Sequence, residues 1–223
     1  MEYRLARSNR KSVGIQITPE GVLEVRAPLR LSKADIDQLV DGKRDWIQKH
    51  MREIKDRQAQ KAAFSLMEGD SLPLMGQSYP VRYGMGQAVR FDGQAFVIPR
   101  EDFEALRPGM IRLYRKIGEK LLPQRVDQYA AHMGRAPVRV GMSNAAKRWG
   151  SCSGRGSIRF SWMLMMADSE AVDYVVVHEL AHLWEMNHSP RFWKRVGEIL
   201  PDYKAREARL KQLHRKLAAE GWI

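Results

Sequence analysis

The chain has 223 residues, 44% of them hydrophobic and 29% charged, with one cysteine and a formal net charge of +12. This balance is that of a soluble globular protein and excludes a disordered polymer or a disulfide scaffold. The longest apolar runs, such as FSWMLMMA, fall well short of the ~20 residues that cross a bilayer, so no membrane insertion is expected. The basic start MEYRLARSNRKSV is followed by no signal-peptide core, which makes a cytoplasmic location the expectation.

In chain order, GIQIT and VLEVRAP alternate on either side of Pro19-Glu20-Gly21 and predict a hairpin. From Ser32, a suitable N-cap, Ile36, Leu39, Val40, Trp46, Ile47 and Ile54 recur at helical spacing to about Lys61, where the pattern becomes polar all round. Strands return between Phe64 and Pro99, and Asp92-Gly93 in AVRFDGQAFVIP marks a second hairpin. A helix is predicted from about Pro108 to Met133, kinked or divided at Pro123 and capped by Gly134. Two strands joined by a Gly/Ser-rich loop are expected in PVRVGMSNAAKRWGSCSGRGSIRFSWMLMMA, with Ile158, Phe160, Trp162 and Leu164 facing a core. Three helices follow, one from near Ser169, one from Pro190 to about Leu200, and a basic amphipathic one carrying Tyr203, Leu210, Leu213 and Leu217. The alternation of strands and helices predicts an α+β fold.

The helix that follows Ser169 carries the chemistry, in the stretch VVVHELAHLWEMNHSPRFW. His178 and His182 are four residues apart, so both imidazoles lie on one helical face about 6 Å apart along the axis and can meet one ion. Glu179 is rotated by about 100° and can reach a water on that ion without being a ligand. This is the H-E-x-x-H arrangement of zinc metallopeptidases, which expect a third protein ligand and one open position. His188 is the candidate, but on a continuous helix it would lie about 9 Å beyond His182 and off its face. The sequence therefore has to stop the helix, and Asn187, the N-cap Ser189 and Pro190 predict that it does. Glu179 would then be the general base. The groups that would stabilise an oxyanion are not legible from spacing: Arg148, Tyr203 and His214 are candidate donors, though each reads more readily as a surface or packing residue, and Cys152, lone between Ser151 and Ser153, reads as a small structural residue. The strand from Ile158 to Leu164 either presents its edge to an extended peptide or has that edge covered, and both readings stay open here.

RWGSCS (Arg148 to Ser153), HELAHLWEMNHSPRFW (His178 to Trp193) and LPDY (Leu200 to Tyr203) resemble the YgjP-like metallopeptidase family, related to the SprT-like and WLM zincins. The resemblance extends over most of the chain, including WIQKH at Trp46 to His50. It implies a zincin-like catalytic half, residues 101–223, behind a β-rich N-terminal half, residues 1–100, with one long helix. It also implies zinc on His178, His182 and His188, with Glu179 as catalytic acid/base. The ligand order is similar to that of metzincins, but Glu185 stands where those have glycine. Three functions stay open: a cytosolic zinc peptidase acting on a peptide or protein substrate, a metal-dependent hydrolase of nucleotides or another small anionic substrate, and a nucleic-acid-associated protein with a non-catalytic metal. The net positive charge suits an anionic ligand or nucleic acid, but it is spread along the chain and equally describes a solvated basic face. A structural zinc would fill four positions with protein ligands, and no fourth Cys or His stands near these three.

Overall fold

The computed structural model describes residues 1–223 and is a mixed α+β architecture of six α-helices and three small sheets. Contacts divide it into two units, Met1–Phe64 with Ala219–Gly221 and Ser65–Ala218 with Trp222–Ile223. The expected boundary near residue 100 and the observed one after Phe64 differ because the strands between 71 and 98 pack with the helix that follows them. Tyr114 on that helix donates a hydrogen bond from Oη to the Pro73 carbonyl at 2.9 Å, and its ring lies 5.5 Å from Phe96.

In the first unit, β1 (Arg4–Ser8), β2 (Gly14–Ile17) and β3 (Leu23–Pro28) form a sheet in the order β1-β3-β2. The predicted hairpin is β2 and β3, paired antiparallel, while β1 runs parallel to β3. The single helix expected from Ser32 is two, α1 (Lys33–Asp41) and α2 (Arg44–Ala63), separated at Gly42 and Lys43. Ser32 caps α1 as predicted, its hydroxyl accepting from the Asp35 N–H. The break shifts the helical phase, so Ile36, Val40 and Ile47 join Leu23, Val25 and Ala27 in the core while Leu39 and Trp46 stay exposed.

The second unit begins with β4 (Ser71–Leu74), β5 (Gln77–Tyr83), β6 (Arg90–Phe91) and β7 (Phe96–Ile98), in the order β4-β5-β7-β6. The predicted turn joins β6 to β7, with the Asp92 carboxylate accepting from the Gln94 and Ala95 N–H groups. Helix α3 (Phe103–Met133) starts at the cap Asp102, earlier than expected, and continues through both Pro108 and Pro123. Pro123 does not divide it, because Leu122 and Val126 on either side are fully buried and hold the helix against the loss of one backbone bond. It ends at Gly134 in the left-handed region, φ 72°, as predicted.

The segment after α3 holds three strands where two were expected: β8 (Arg139–Ser143), β9 (Gly150–Cys152) and β10 (Ser157–Ser161). Trp162 to Met166 are not strand but a 3-10 turn, every side chain of it buried, and Trp162 packs with Tyr114 and Trp222. The order β8-β10-β9 makes β10 central, so that strand has partners on both sides and the edge strands are β8 and β9. Helices α4 (Ser169–Ala181), α5 (Pro190–Ile199) and α6 (Tyr203–Ala219) complete the unit. No helix is long and apolar enough to cross a membrane.

Candidate metal centre

Helix α4 begins at the cap Asp168, whose side chain accepts from Ala171 N–H, and is apolar on nearly every side from Ala171 to Ala181. A helix buried all round has a fixed rotation, so His178 and Glu179 point where packing puts them. An ion pair between Arg125 of α3 and Asp173 of α4 adds to that anchoring. The helix stops at His182, earlier than Asn187, and Leu183 and Trp184 close tighter bonds onto Leu180 and Ala181. Asn187 takes no left-handed conformation. Ser189 and Pro190 act as predicted: the Ser189 hydroxyl accepts from Phe192 N–H, and Pro190 opens α5.

This turn brings His188 back to the other two. The ligand-capable atoms of His178, His182 and His188 all lie within 4.8 Å of one another, and the Nε2 atoms of His178 and His188 are 3.1 Å apart. Two nitrogens at about 2.05 Å from a tetrahedral ion would be about 3.3 Å apart, close to that separation. The Nδ1 of His182 lies 3.0 Å from the Glu185 carbonyl, which can only accept, so Nδ1 carries the proton and Nε2 keeps its lone pair for the centre. The His178 Nδ1 is buried without a protein partner. Burial, first, and the neighbouring His182 and His188, second, push His178 down to about 3, and burial lowers His182 as well. Both imidazoles are thus held neutral, the form that ligates.

Phe192 of α5 packs against all three imidazoles, at 4.9, 4.6 and 4.8 Å between ring centres. His188 is stacked on Trp193 at 5.5 Å, Trp193 on Tyr203 at 5.2 Å, and Tyr203 on Tyr174 at 6.4 Å. Tyr203 is one layer of an aromatic stack behind His188 and does not line the cleft. His214 lies away from the centre, its Nε2 donating to the Ala146 carbonyl at 2.9 Å beside Trp149. Arg148 is the one of the three candidate donors that lines the cleft, a concavity of about 480 Å³ together with Gly150, Cys152, Tyr174 and Lys211.

Glu179 lines the same cleft at 5% exposure, and its Oε2 has no hydrogen-bond partner. Burial raises its carboxyl to about 8, against the opposing field of Arg148. Its neighbour in space is Gly150 of β9. A β-carbon there would sit 2.5 Å from Glu179 Oε1 and 2.7 Å from its Cγ, so any side chain at this position displaces the carboxylate. Sequence reading passed over this role. The one available signal was a glycine inside a strand with no turn to explain it, which marks close approach of another group. Cys152, two residues on, is a free, half-buried thiol raised by burial and by Glu179.

A model of the YgjP-like metallopeptidase domain matches residues 11–213. No curated protein matches the chain. Among solved structures, the crystal structure of the metallopeptidase zymogen abylysin of Pyrococcus abyssi aligns with 41% of this chain and 93% of its own, at 22% identity and a TM-score of 0.39. With the family match running over nearly its whole length, three converged imidazoles and a buried carboxyl in one cleft, this chain belongs to the YgjP-like metallopeptidase family.

Proposed function

We propose that the protein is a zinc-dependent, zincin-like peptidase of the cytosol, in which His178, His182 and His188 hold the ion and Glu179 is the general base. The observation that carries this reading is the convergence of three imidazoles beside a buried carboxyl with no partner of its own. The donor set fits the ion: three nitrogens, two of them kept neutral by burial, one with its tautomer set by a carbonyl, and a fourth direction left to the cleft. A bound zinc ion supplies Lewis-acid polarisation of a carbonyl and acidifies a water molecule.

Glu179 supplies the proton transfers. Its carboxylate takes a proton from the attacking water at an Oε atom and returns it to the leaving amine. Burial raises that carboxylate's affinity for a proton above that of an ordinary carboxylate. Gly150 keeps the space in which this carboxylate sits, and Arg148 limits how far its affinity for the proton rises. Gly150, Ser151 and Cys152 of the edge strand β9 line the cleft, and an extended peptide there can pair with that strand through backbone hydrogen bonds.

Peptide is favoured over a polyphosphate because the family match, over residues 11–213, is to a metallopeptidase domain. A reducing compartment fits the single free cysteine. The decisive test pairs metal analysis with hydrolysis. Glu179→Gln should keep about one zinc per chain and lose roughly 10²–10⁴ of the rate on a peptide substrate. Equal turnover in the variant removes Glu179 from the mechanism, and a metal-free wild type after zinc loading removes the centre.

A further inference from the structure

A second concavity lies within the same unit and shares no residue with the cleft. It is a trough of about 760 Å³ between α3 and the β5–β7 region. Its floor is apolar: Leu113, Ile117 and Leu121 from α3 face Tyr79, Val89 and Phe91. Along one side run Arg112, Lys116 and Lys120, at i, i+4 and i+8 of α3, with Arg90 across from them and Glu101 the one acid in the lining. Elsewhere on α3 the arginines have carboxylate neighbours, Arg107 with Glu104 and Arg115 with Glu119. The row at 112, 116 and 120 is exposed and has none.

The layout of charge selects the ligand. Three cations repeating every ~6 Å cover about 12 Å of helix axis. A fatty acid would suit the floor but carries its charge at one end and would leave two of the three cations unmatched. An extended polypeptide places same-face side chains every ~6.7 Å, nearly the repeat of the cation row, and turns the alternate ones to the opposite face. A strand of alternating acidic and apolar residues therefore presents carboxylates to Arg112, Lys116 and Lys120 while its apolar side chains enter the trough. A nucleic-acid strand would also meet the cations, but its bases need open aromatic faces. Tyr79 and Phe91 instead meet edge to face at 4.9 Å and both pack on Phe96, and the remaining floor is aliphatic.

We infer that this trough is a docking groove for an extended acidic segment of a polypeptide partner, separate from the metal centre. The test is fluorescence anisotropy on the purified full chain, with a fluorescein-labelled hexapeptide alternating Asp and Val as probe. At low ionic strength the probe should bind saturably, and binding should weaken as salt screens the row. A matched Lys/Val hexapeptide should not bind. The K116E/K120E variant should bind the probe at least about tenfold more weakly, since it reverses two exposed charges of the row. K116A/K120A should lie between it and wild type, and unchanged melting temperatures show that both variants remain folded. Glu179→Gln should bind the probe like wild type, which separates this groove from the cleft and makes the outcome independent of the metal reading. No saturable binding of the acidic probe, or equal binding by K116E/K120E, overturns the proposal. Tighter binding of a hexameric oligothymidylate, lost in the same variant, also overturns it and makes the groove one for nucleic acid.

Discussion

The cleft at the histidines and the trough along α3 are concavities of one unit, made from opposite materials. In the cleft Glu179 is buried and His178 largely shielded, and burial moves both: His178 is held neutral and Glu179 is raised. In the trough the ionisable groups are exposed, evenly spaced and unpaired, above an apolar floor. The difference teaches how to separate two kinds of site. Desolvation changes what a group can do with a proton or an ion, whereas an exposed row of charge changes only what it attracts.

That contrast can be broken most forcibly at His188. Replacing it by alanine should weaken zinc binding by more than about 100-fold, beyond the 10–100-fold typical of changes outside the ligand shell. A competition titration against a chelator reads the affinity, and a variant that holds zinc like wild type sinks the three-histidine centre. Next in size is Gly150→Ala. The added methyl enters the space of the Glu179 carboxylate and should cost roughly 1–3 kcal/mol of stability, as overpacking does, together with most of the peptidase rate. Metal content should persist, and a variant with wild-type turnover would show that the carboxylate has room to spare.

A smaller effect is expected in the pH dependence of the metal-free protein. His178 titrates at about 3 when folded against an ordinary 6.5, so between those values the unfolded chain binds more protons and stability rises with pH. Glu179 titrates at about 8 against 4.5, so between those values the folded chain binds more protons and stability falls with pH. The two oppose each other from 4.5 to 6.5, leaving a rising limb below and a falling limb from 6.5 to 8. Thermal melting in chelator should show the falling limb in wild type and its loss in Glu179→Gln; a limb that survives the substitution belongs to another group. The smallest effect sharpens the comparison from the other side: K116E/K120E should leave zinc content and the hydrolysis of a short uncharged peptide unchanged.

What could be read from the sequence was local. Ser32, Ser189 and Pro190 start helices where their side chains require it, Gly134 ends one, and Asp92-Gly93 turns a hairpin. The three histidines could be placed together because a spacing of four and a helix stop are short-range facts. What escaped was set by partners distant in sequence. β1 lies beside β3 through parallel pairing, which no turn announces, and β9 has only three residues. The order β8-β10-β9 put β8 and β9 at the edges and the more strongly patterned β10 in the middle. Pro123 stayed inside α3 because burial of its neighbours outweighed the local rule. Gly150 is the instructive omission, since what it accommodates is a side chain 29 positions further along the chain.

The aromatic stack behind His188 has a practical use. Trp193 lies face to face with an imidazole proposed to hold the ion, and is itself backed by Tyr203. A paramagnetic substitute such as Cu²⁺ at the centre would quench the emission of that indole by proximity, so loading can be followed by the protein's own light. The difference between wild type and Trp193→Phe isolates this signal from the other five tryptophans. The protein thus carries a built-in optical gauge of its proposed metal occupancy, readable without label, chelating dye or substrate.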